Sequence, residues 1–493
     1  FLSQIPASFV YSRLLRFQPQ SDPEHWNDSV PEGDAAESWE ATPDALTWTF
    51  HLRQGMTWHD KPGVGGRPLD AEDVSISLER FRALSPNKAN LDMIERVETP
   101  DPNTVVMTLS FAYAPFETIM ANPNYLWITP KEANAGSVDL TQTMIGTGPF
   151  VFDSYEPSVA MRFSKNPTFY EQGIPYVDGV ELFIIKDPST MLSQFISGQL
   201  DTHAMTNPRD VEEAKRQISG LQSDEFLQTL LLFVYMQPYG DANEFYDPNS
   251  PFKDERVRRA VSMALDRDAM LQVLYQGKGR WNQVVPAGFT RFHLNPKDDA
   301  GEYGDAAQYY RHDPEAVRQL LAEAGFEDGI DADLHFTNNA YGDLFNQSAE
   351  VVNNMLNEAG IRTNLVAEDY GSQYISGTFL GNFQGIAYGP QSGFQEVDEY
   401  IFNMLHPSGL RNHSGVNDPE LTRMIEAQRV ELDAERRREI IHDIQRLVAD
   451  KMYYVPTIVG SAEYGRQAYV RNFQFGSFYG IGTETYARVW LDR

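Results

Sequence analysis

Apolar side chains recur with two periods, every second residue in short runs and every third or fourth in longer ones. Thr47–Arg53 (Thr-Trp-Thr-Phe-His-Leu-Arg) alternates polar and apolar positions and predicts a half-buried strand. Thr104–Ser110 repeats the alternation after the turn Pro100-Asp-Pro-Asn103. Between them, Asp70 can cap a helix whose apolar stripe is Val74, Leu78 and Phe81. Asp187-Pro188 places a cap and a first-turn proline before Met191, Leu192, Phe195 and Ile196, and Gly198 ends that helix. Asp313-Pro314 does the same for Val317, Leu320, Leu321 and Ala324, closed by Gly325. Asp418-Pro419 and Asp433 open two more, the last carrying Ile440, Ile441, Ile444 and Leu447. Strands such as Val180–Lys186 and Ile361–Val366 fall among the helices, so the pattern is mixed α/β without an internal repeat. The apolar strand Leu230–Tyr235 runs into the Pro-, Gly- and Asp-rich stretch Pro238–Pro251, which predicts a domain boundary near 233–237. The helix-rich half beyond it returns at Tyr453–Val459, and two crossings there would make a hinge.

Composition narrows the function classes. At 493 residues the chain should hold about three folding units. It contains no cysteine, which excludes disulfides, thiol nucleophiles and Cys-ligated metal centres. The net charge of −30 repels phosphate backbones and anionic headgroups, so nucleic acid and direct membrane-surface contact are not expected. No apolar run reaches the roughly 18–20 residues of a membrane span. The opening Phe1-Leu-Ser-Gln-Ile-Pro6 does not read as a natural start, and a leader and a short piece of the mature domain are expected upstream.

Enzyme motifs are missing: there is no G-x-S-x-G, no Walker A loop, no H-E-x-x-H and no G-x-G-x-x-G opening a helix. Pairs such as His59 and Asp60, or Glu396 and Asp398, are chance neighbours among 70 acids. Of ten scattered histidines, His406 and His413 share one loop-like segment and are the only weak metal candidates, since imidazole suits nickel and copper. The N-x-S triplets at Asn27, Asn346 and Asn412 read as chance. Trp26, Tyr125, Trp127, Tyr235, Trp281, Tyr388 and Phe394 lie in loop-like or strand-end segments. Each is either core or, as a set, the aromatic lining of a cleft.

Spaced fingerprints then run down the chain. Ala36-Glu-Ser-Trp39, Leu46-Thr-Trp-Thr-Phe-His-Leu-Arg-Gln-Gly55, Trp58-His-Asp60 and Leu69-Asp-Ala-Glu-Asp-Val74 follow in order. Together they resemble the opening block of the family 5 extracellular solute-binding proteins of ABC importers, the dipeptide/oligopeptide/nickel-binding family. The extra Gly63-Val-Gly-Gly66 departs from that block and is expected to lengthen a surface hairpin. Ile145-Gly-Thr-Gly-Pro-Phe150, Lys165-Asn-Pro-Thr-Phe-Tyr170, Ser197-Gly-Gln-Leu-Asp201 and Pro251–Ala260 with Ala264-Leu-Asp-Arg267 continue the likeness, as do the blocks 313–325 and 358–361. Arg256, Arg258 and Arg259 are expected to pair with acids such as Asp254 and Glu255.

The resemblance implies a two-lobed α/β fold of the type II periplasmic-binding-protein kind, with an extra subdomain in the first lobe. Lobe I would be 1–33, 170–234 and 457–493, the subdomain 34–169, and lobe II 235–456. It further implies a non-catalytic, cofactor-free monomer, periplasmic or extracellular and open to lipid anchoring. Such a protein closes over a small-molecule solute between its lobes and delivers it to ABC transporter permease subunits. Peptide-binding members carry an aspartate in a segment resembling W-x-x-D-Y-P-D-P, where it holds the peptide's ammonium group. The matching stretch here is Ile386–Phe394, with Tyr388 at the aromatic position and no acid before Glu396. Gln391 and Ser392 offer neutral hydrogen bonds instead, and Gln4 and Gln237 complete the expected polar lining. A peptide-like solute leads. An oligosaccharide or other neutral metabolite, a nickel chelate on His406 or His413, a hydrolase and a sensory or chaperone-like use stay open.

Overall fold

The structure is a computed structural model that describes residues 4–20, 22, 28–85, 87–391, 393–474 and 484–493. The chain divides into two units, Phe1–Ala204 with Glu212–Asp224 and Tyr464–Arg493, and Met205–Val211 with Glu225–Glu463. Residues 205–211, 225–234 and 457–463, which the resemblance placed in lobe I, group by packing with the second unit. The reason is local: the strand at 231–236 is hydrogen-bonded on both edges inside the second unit's sheet.

Unit 1 begins with α1 (Gln4–Val10) and a four-stranded antiparallel sheet. Its strands are β1 (Ala36–Ala41), β2 (Thr47–Leu52), β3 (Ile94–Asp101) and β4 (Thr104–Leu109), in the order β1-β2-β4-β3. The period-two pattern is realised, with Trp48, Phe50 and Leu52 buried and Thr47, Thr49 and His51 half exposed. Helix α2 (Ala71–Leu84) starts at Asp70, which accepts from the Asp73 amide while the Asp73 carboxylate accepts from the Asp70 amide. Val64, in the glycine-rich insert, is buried in the same core as Trp58 and Leu78. The insert is the exposed tip of a hairpin bridged between Thr57 and Pro68, as expected, and Val64 alone pins that tip to the core. A second antiparallel sheet contains β5 (Phe150–Glu156), β6 (Ala160–Lys165) and β7 (Gly179–Phe183), followed by α3 (Pro188–Ile196).

Three of the fingerprints meet in one buried knot of unit 1. His59 places Nε2 3.1 Å from the Gly148 carbonyl and Nδ1 3.4 Å from the Gly146 amide. The His59 amide donates to the Gly146 carbonyl at 2.8 Å, and Asn166 Nδ2 donates to the Gly148 carbonyl at 2.8 Å. Both glycines press on the end of α1: a Cβ on Gly146 would stand 1.8 Å from the Val10 carbonyl oxygen, and one on Gly148 2.7 Å from it. Spacing between these motifs is thus a packing requirement, met by backbone without side chains at two points.

Unit 2 is built on a five-stranded mixed sheet, in the order Ile361–Glu368, Ile330–Thr337, Ile386–Gln391, Leu231–Met236, Val455–Pro456. In chain order these are β8 (Leu231–Met236), β9 (Ile330–Thr337), β10 (Ile361–Glu368), β11 (Ile386–Gln391) and β12 (Val455–Pro456). β9 runs parallel to β10 and β11, whereas β8 is antiparallel to β11 and β12. Helices α4 (Glu255–Met263), α5 (Pro314–Glu323) and α6 (Asp343–Glu358) bury their apolar stripes on one face. Helices α7 (Val397–Leu405), α8 (Pro419–Val430) and α9 (Ala434–Lys451) bury theirs on the other. The caps at Asp187, Asp313, Asp418 and Asp433 all accept from first-turn amides. Arg256 and Arg259 pair with Asp254 and Glu255, but Arg258 donates to the carbonyls of Phe252 and Lys451, a correction to its expected acidic partner. No described helix is long and apolar enough to cross a membrane.

Candidate ligand-binding site

Register decides which side chains of β8 and β11 look the same way. Leu231 lies opposite Gln391, Phe233 opposite Gly389 and Tyr235 opposite Ala387, and such pairs share a face. That face belongs to the core with α7, α8 and α9. The intervening pairs, including Val234 with Tyr388, look toward the opposite core.

Several expected ligand-facing aromatics consequently have core roles. Tyr388 stacks on Phe345 at 5.4 Å between ring centres and donates to Ser348 Oγ at 3.0 Å; burial pushes its hydroxyl up to about 12. Trp281 packs in the same core, and its indole N–H donates to Asp268 at 2.9 Å. Tyr125 packs edge-on against Phe81 in unit 1 and accepts from Asn90 Nδ2 at 3.1 Å. Trp127 is half-buried, with the Arg13 guanidinium 4.3 Å from its ring centre and its N–H donated to the Pro123 carbonyl. Gln237 clamps the start of β11, accepting from the Gly385 amide at 2.6 Å and donating to Asp247 at 3.0 Å. Gln4 opens α1, and Trp26 and Ser392 lie outside the described residues.

Tyr235, Gln391 and Phe394 are gathered on the α7–α9 side with Thr229, Tyr374 and Phe379, which the sequence did not single out, and with His413, which it offered only for a nickel chelate. Gln391 is fully buried, and neither its Oε1 nor its Nε2 has a hydrogen-bond partner. Thr229 Oγ1, just before β8, is buried and unbonded as well. His413 lies 5.1 Å from Tyr235 and 4.5 Å from Phe379, ring centre to ring centre. Its Nδ1 is hydrogen-bonded to the Phe379 carbonyl and therefore carries the proton. Nε2 is then a buried lone pair without a donor. Desolvation pushes the His413 pKa down to about 3, so the ring is neutral at ordinary pH. Tyr235 donates to Tyr374 at 3.1 Å, and the Tyr374 hydroxyl passes over Gly389, where a Cβ would stand 1.8 Å away. A glycine inside a strand was the one sequence signal for that close approach. Leaving a buried polar group unbonded costs about 1–3 kcal/mol, so these atoms suit a partner from outside the chain.

The nearby carboxylates are committed elsewhere. Glu396 caps α7, accepts from the Asp398 amide at 3.2 Å and pairs with Arg437. Glu399 closes that capping box, and Asp398 accepts from Gln428 and Arg429. Arg411 lies over both Phe394 and Phe379, at 5.1 and 5.7 Å from the ring centres. His406 stacks on Phe402 at 4.4 Å, and its Nδ1 accepts from the Ser408 amide. Among the described residues, no group of three or more His, Asp or Glu side chains could hold a metal ion, which leaves the nickel alternative without a ligand set there. A cavity of about 10 Å³ beside Arg13, Arg16 and Asp34 in unit 1 has room for one water and no solute.

Comparison with known proteins agrees with the fingerprints. The profile described as bacterial extracellular solute-binding proteins, family 5 Middle, matches residues 30–412. The chain is 26% identical to Heme-binding protein A of Haemophilus influenzae, covering 96% of this chain and 87% of that one. It is 27% identical to Di/tripeptide-binding protein 2 of Pseudomonas aeruginosa, over 91% and 83% of the two chains. The fold is shared with a periplasmic binding protein, DppA of Helicobacter pylori in complex with the peptide STSA. There the TM-score is 0.78 at 20% identity, over 99% of this chain and 96% of the other.

Proposed function

The chain belongs to the family 5 bacterial extracellular solute-binding proteins, and from that premise we propose that it captures a peptide-like solute and hands it, chemically unaltered, to the permease of an ABC importer. The proposal places the protein outside the cytoplasmic membrane, free or lipid-anchored, and acting as a monomer. Its main support is that three of the relatives matching four fifths or more of the chain are named di/tripeptide- or dipeptide-binding proteins, beside one named for heme. The face bearing Gln391 supplies an amide, a neutral imidazole, a hydroxyl and aromatic rings. Such groups hold a solute by hydrogen bonds and packing and break no bond in it.

A second reading, an oligosaccharide or other neutral polyhydroxylated solute, is favoured by one observation: the carboxamide of Gln391 stands in the segment where a peptide binder has an acid. Native mass spectrometry of the purified protein, followed by thermal-shift screening with peptides and sugars, separates the two. A ligand at a hundred times its Kd stabilises the folded protein by about 2.7 kcal/mol. Peptides should raise the melting temperature and be recovered intact. A shift with sugars alone would replace the first reading with the second, and turnover of a bound compound would overturn both.

A further inference from the structure

Resting on the solute-binding reading above, we infer that the solute presents to Gln391 an uncharged group with a hydrogen-bond donor and an acceptor side by side, such as a lactam or blocked-peptide amide, in place of a free ammonium.

Both atoms of the Gln391 carboxamide are buried and unbonded, one an acceptor and the other a double donor. An ammonium supplies donors alone; it would satisfy Oε1 and leave the Nε2 hydrogens buried against a cation. A carboxylate supplies acceptors alone and fails in the opposite sense. An amide with N–H and C=O on the same side, or a pair of neighbouring hydroxyls, satisfies both atoms at once. Either orientation of the carboxamide makes the same demand, because both ends lack partners.

The surroundings carry the same preference. His413 turns a bare acceptor nitrogen into the α7–α9 side of the sheet. Nothing on that ring balances a positive or a negative solute group. Arg411 lies over Phe379 and Phe394, and like charge disfavours an ammonium near it. The N-cap Glu396 and the two acids of α7's first turn, Asp398 and Glu399, are tied to helix amides and to Arg437, Arg429 and Gln428. An ammonium at Gln391 would therefore meet no carboxylate free to balance it from that helix turn.

Isothermal titration of the full chain with four probes tests this: alanyl-phenylalanine, its N-acetyl amide, its cyclic lactam form and maltotriose. The lactam or N-acetyl amide should bind at least tenfold tighter than the free dipeptide. Gln391→Leu should abolish that preference, and Gln391→Glu should reverse it toward the free dipeptide, with both variants folded by circular dichroism. A free dipeptide that binds as tightly as its blocked forms, with a ratio unmoved by Gln391→Glu, overturns the inference and leaves peptide capture standing. Maltotriose binding that depends on Gln391, with no peptide bound, removes the peptide reading and keeps the uncharged-group inference. A high-resolution crystal structure grown with the probes and showing only an ordered water on Gln391 would overturn it outright.

Discussion

Two buried histidines, one in each unit, set the molecule's two kinds of site side by side. His59 and His413 are each about 1% exposed, and each ring is pushed to a low pKa by desolvation. The knot around His59 is finished by the chain itself: both ring nitrogens face backbone partners in Gly146 and Gly148. The face around His413 is finished on one nitrogen alone, and Gln391 on the same side of the sheet has neither of its polar atoms bonded. A closed polar network rigidifies a fold, whereas an open one in a native interior stores a cost that only a partner removes. The difference separates scaffold from site more sharply than aromatic content does.

The largest effect expected from breaking this contrast is at the two close-approach glycines. Gly146→Ala and Gly389→Ala would each put a Cβ 1.8 Å from an oxygen, but the first oxygen is the Val10 carbonyl and the second the tip of Tyr374. Backbone cannot swing aside, and a tyrosine side chain can. Gly146→Ala should cost about 4 kcal/mol in urea unfolding and Gly389→Ala about 1 kcal/mol. The Gly389 variant should lose solute affinity in addition, through the displaced Tyr235–Tyr374 hydrogen bond. Equal losses of stability would mean that the knot is no stiffer than the face.

Acid should act next. An unfolded histidine takes up a proton below about pH 6.5, whereas folded His59 stays neutral down to about 4 and folded His413 to about 3. The unfolded state therefore binds more protons across that window, and stability falls as pH drops from 6.5 toward 4 while staying flat above 7 as far as these rings contribute. Each ring should account for about 2–3 kcal/mol at pH 4.5. Urea titrations at pH 7 and 4.5 on the parent, His59→Gln and His413→Phe read this directly; a slope unchanged in both variants would remove these rings as its source.

Much of the scaffold could be read from the chain because its signals are local. Asp70, Asp187, Asp313, Asp418 and Asp433 each mark a helix start within a few residues, and each caps as expected. Motif spacing between His59, Gly146 and Asn166 reflects direct contact, so the fingerprints survive as text. The site was legible in a weaker sense. Tyr388 has an aromatic's environment but on the far face, because strand parity at Val234 sends it there. That Gln391 ends unbonded depends on the pairing of residues 231 and 391 and on cover from segments 379–383 and 394–416, which no local pattern states. His413 was visible only as an imidazole in a loop, and its lone pair becomes meaningful once the Phe379 carbonyl has taken the other nitrogen.

A smaller pair of effects should have opposite signs. Asn166→Leu removes an amide that donates to Gly148 and accepts from Thr168, all within the knot. It should destabilise the solute-free protein by about 2 kcal/mol. Gln391→Leu removes an amide of similar burial with no partner and should stabilise the solute-free protein by about 1 kcal/mol while weakening solute capture. Denaturation midpoints of the two variants against the parent decide it; a loss at both positions would show that Gln391 has a partner within the fold.

The smallest expected effect is on the pH dependence of binding itself. His413 carries its proton on Nδ1 and holds Nε2 as an acceptor, and its pKa of about 3 keeps that state through the whole working range. A solute donor on Nε2 further disfavours protonation there, because both would compete for one lone pair. Affinity should therefore vary less than about twofold on account of this ring between pH 5.5 and 8, in the parent and in His413→Phe alike, although the variant binds more weakly throughout. A tenfold fall in parent affinity toward pH 5.5 that His413→Phe abolishes would show the ring titrating in place. The face around Gln391 would then be a charge-sensing surface, and the contrast with the sealed ring of His59 would rest on ionisation instead of on an unmet hydrogen bond.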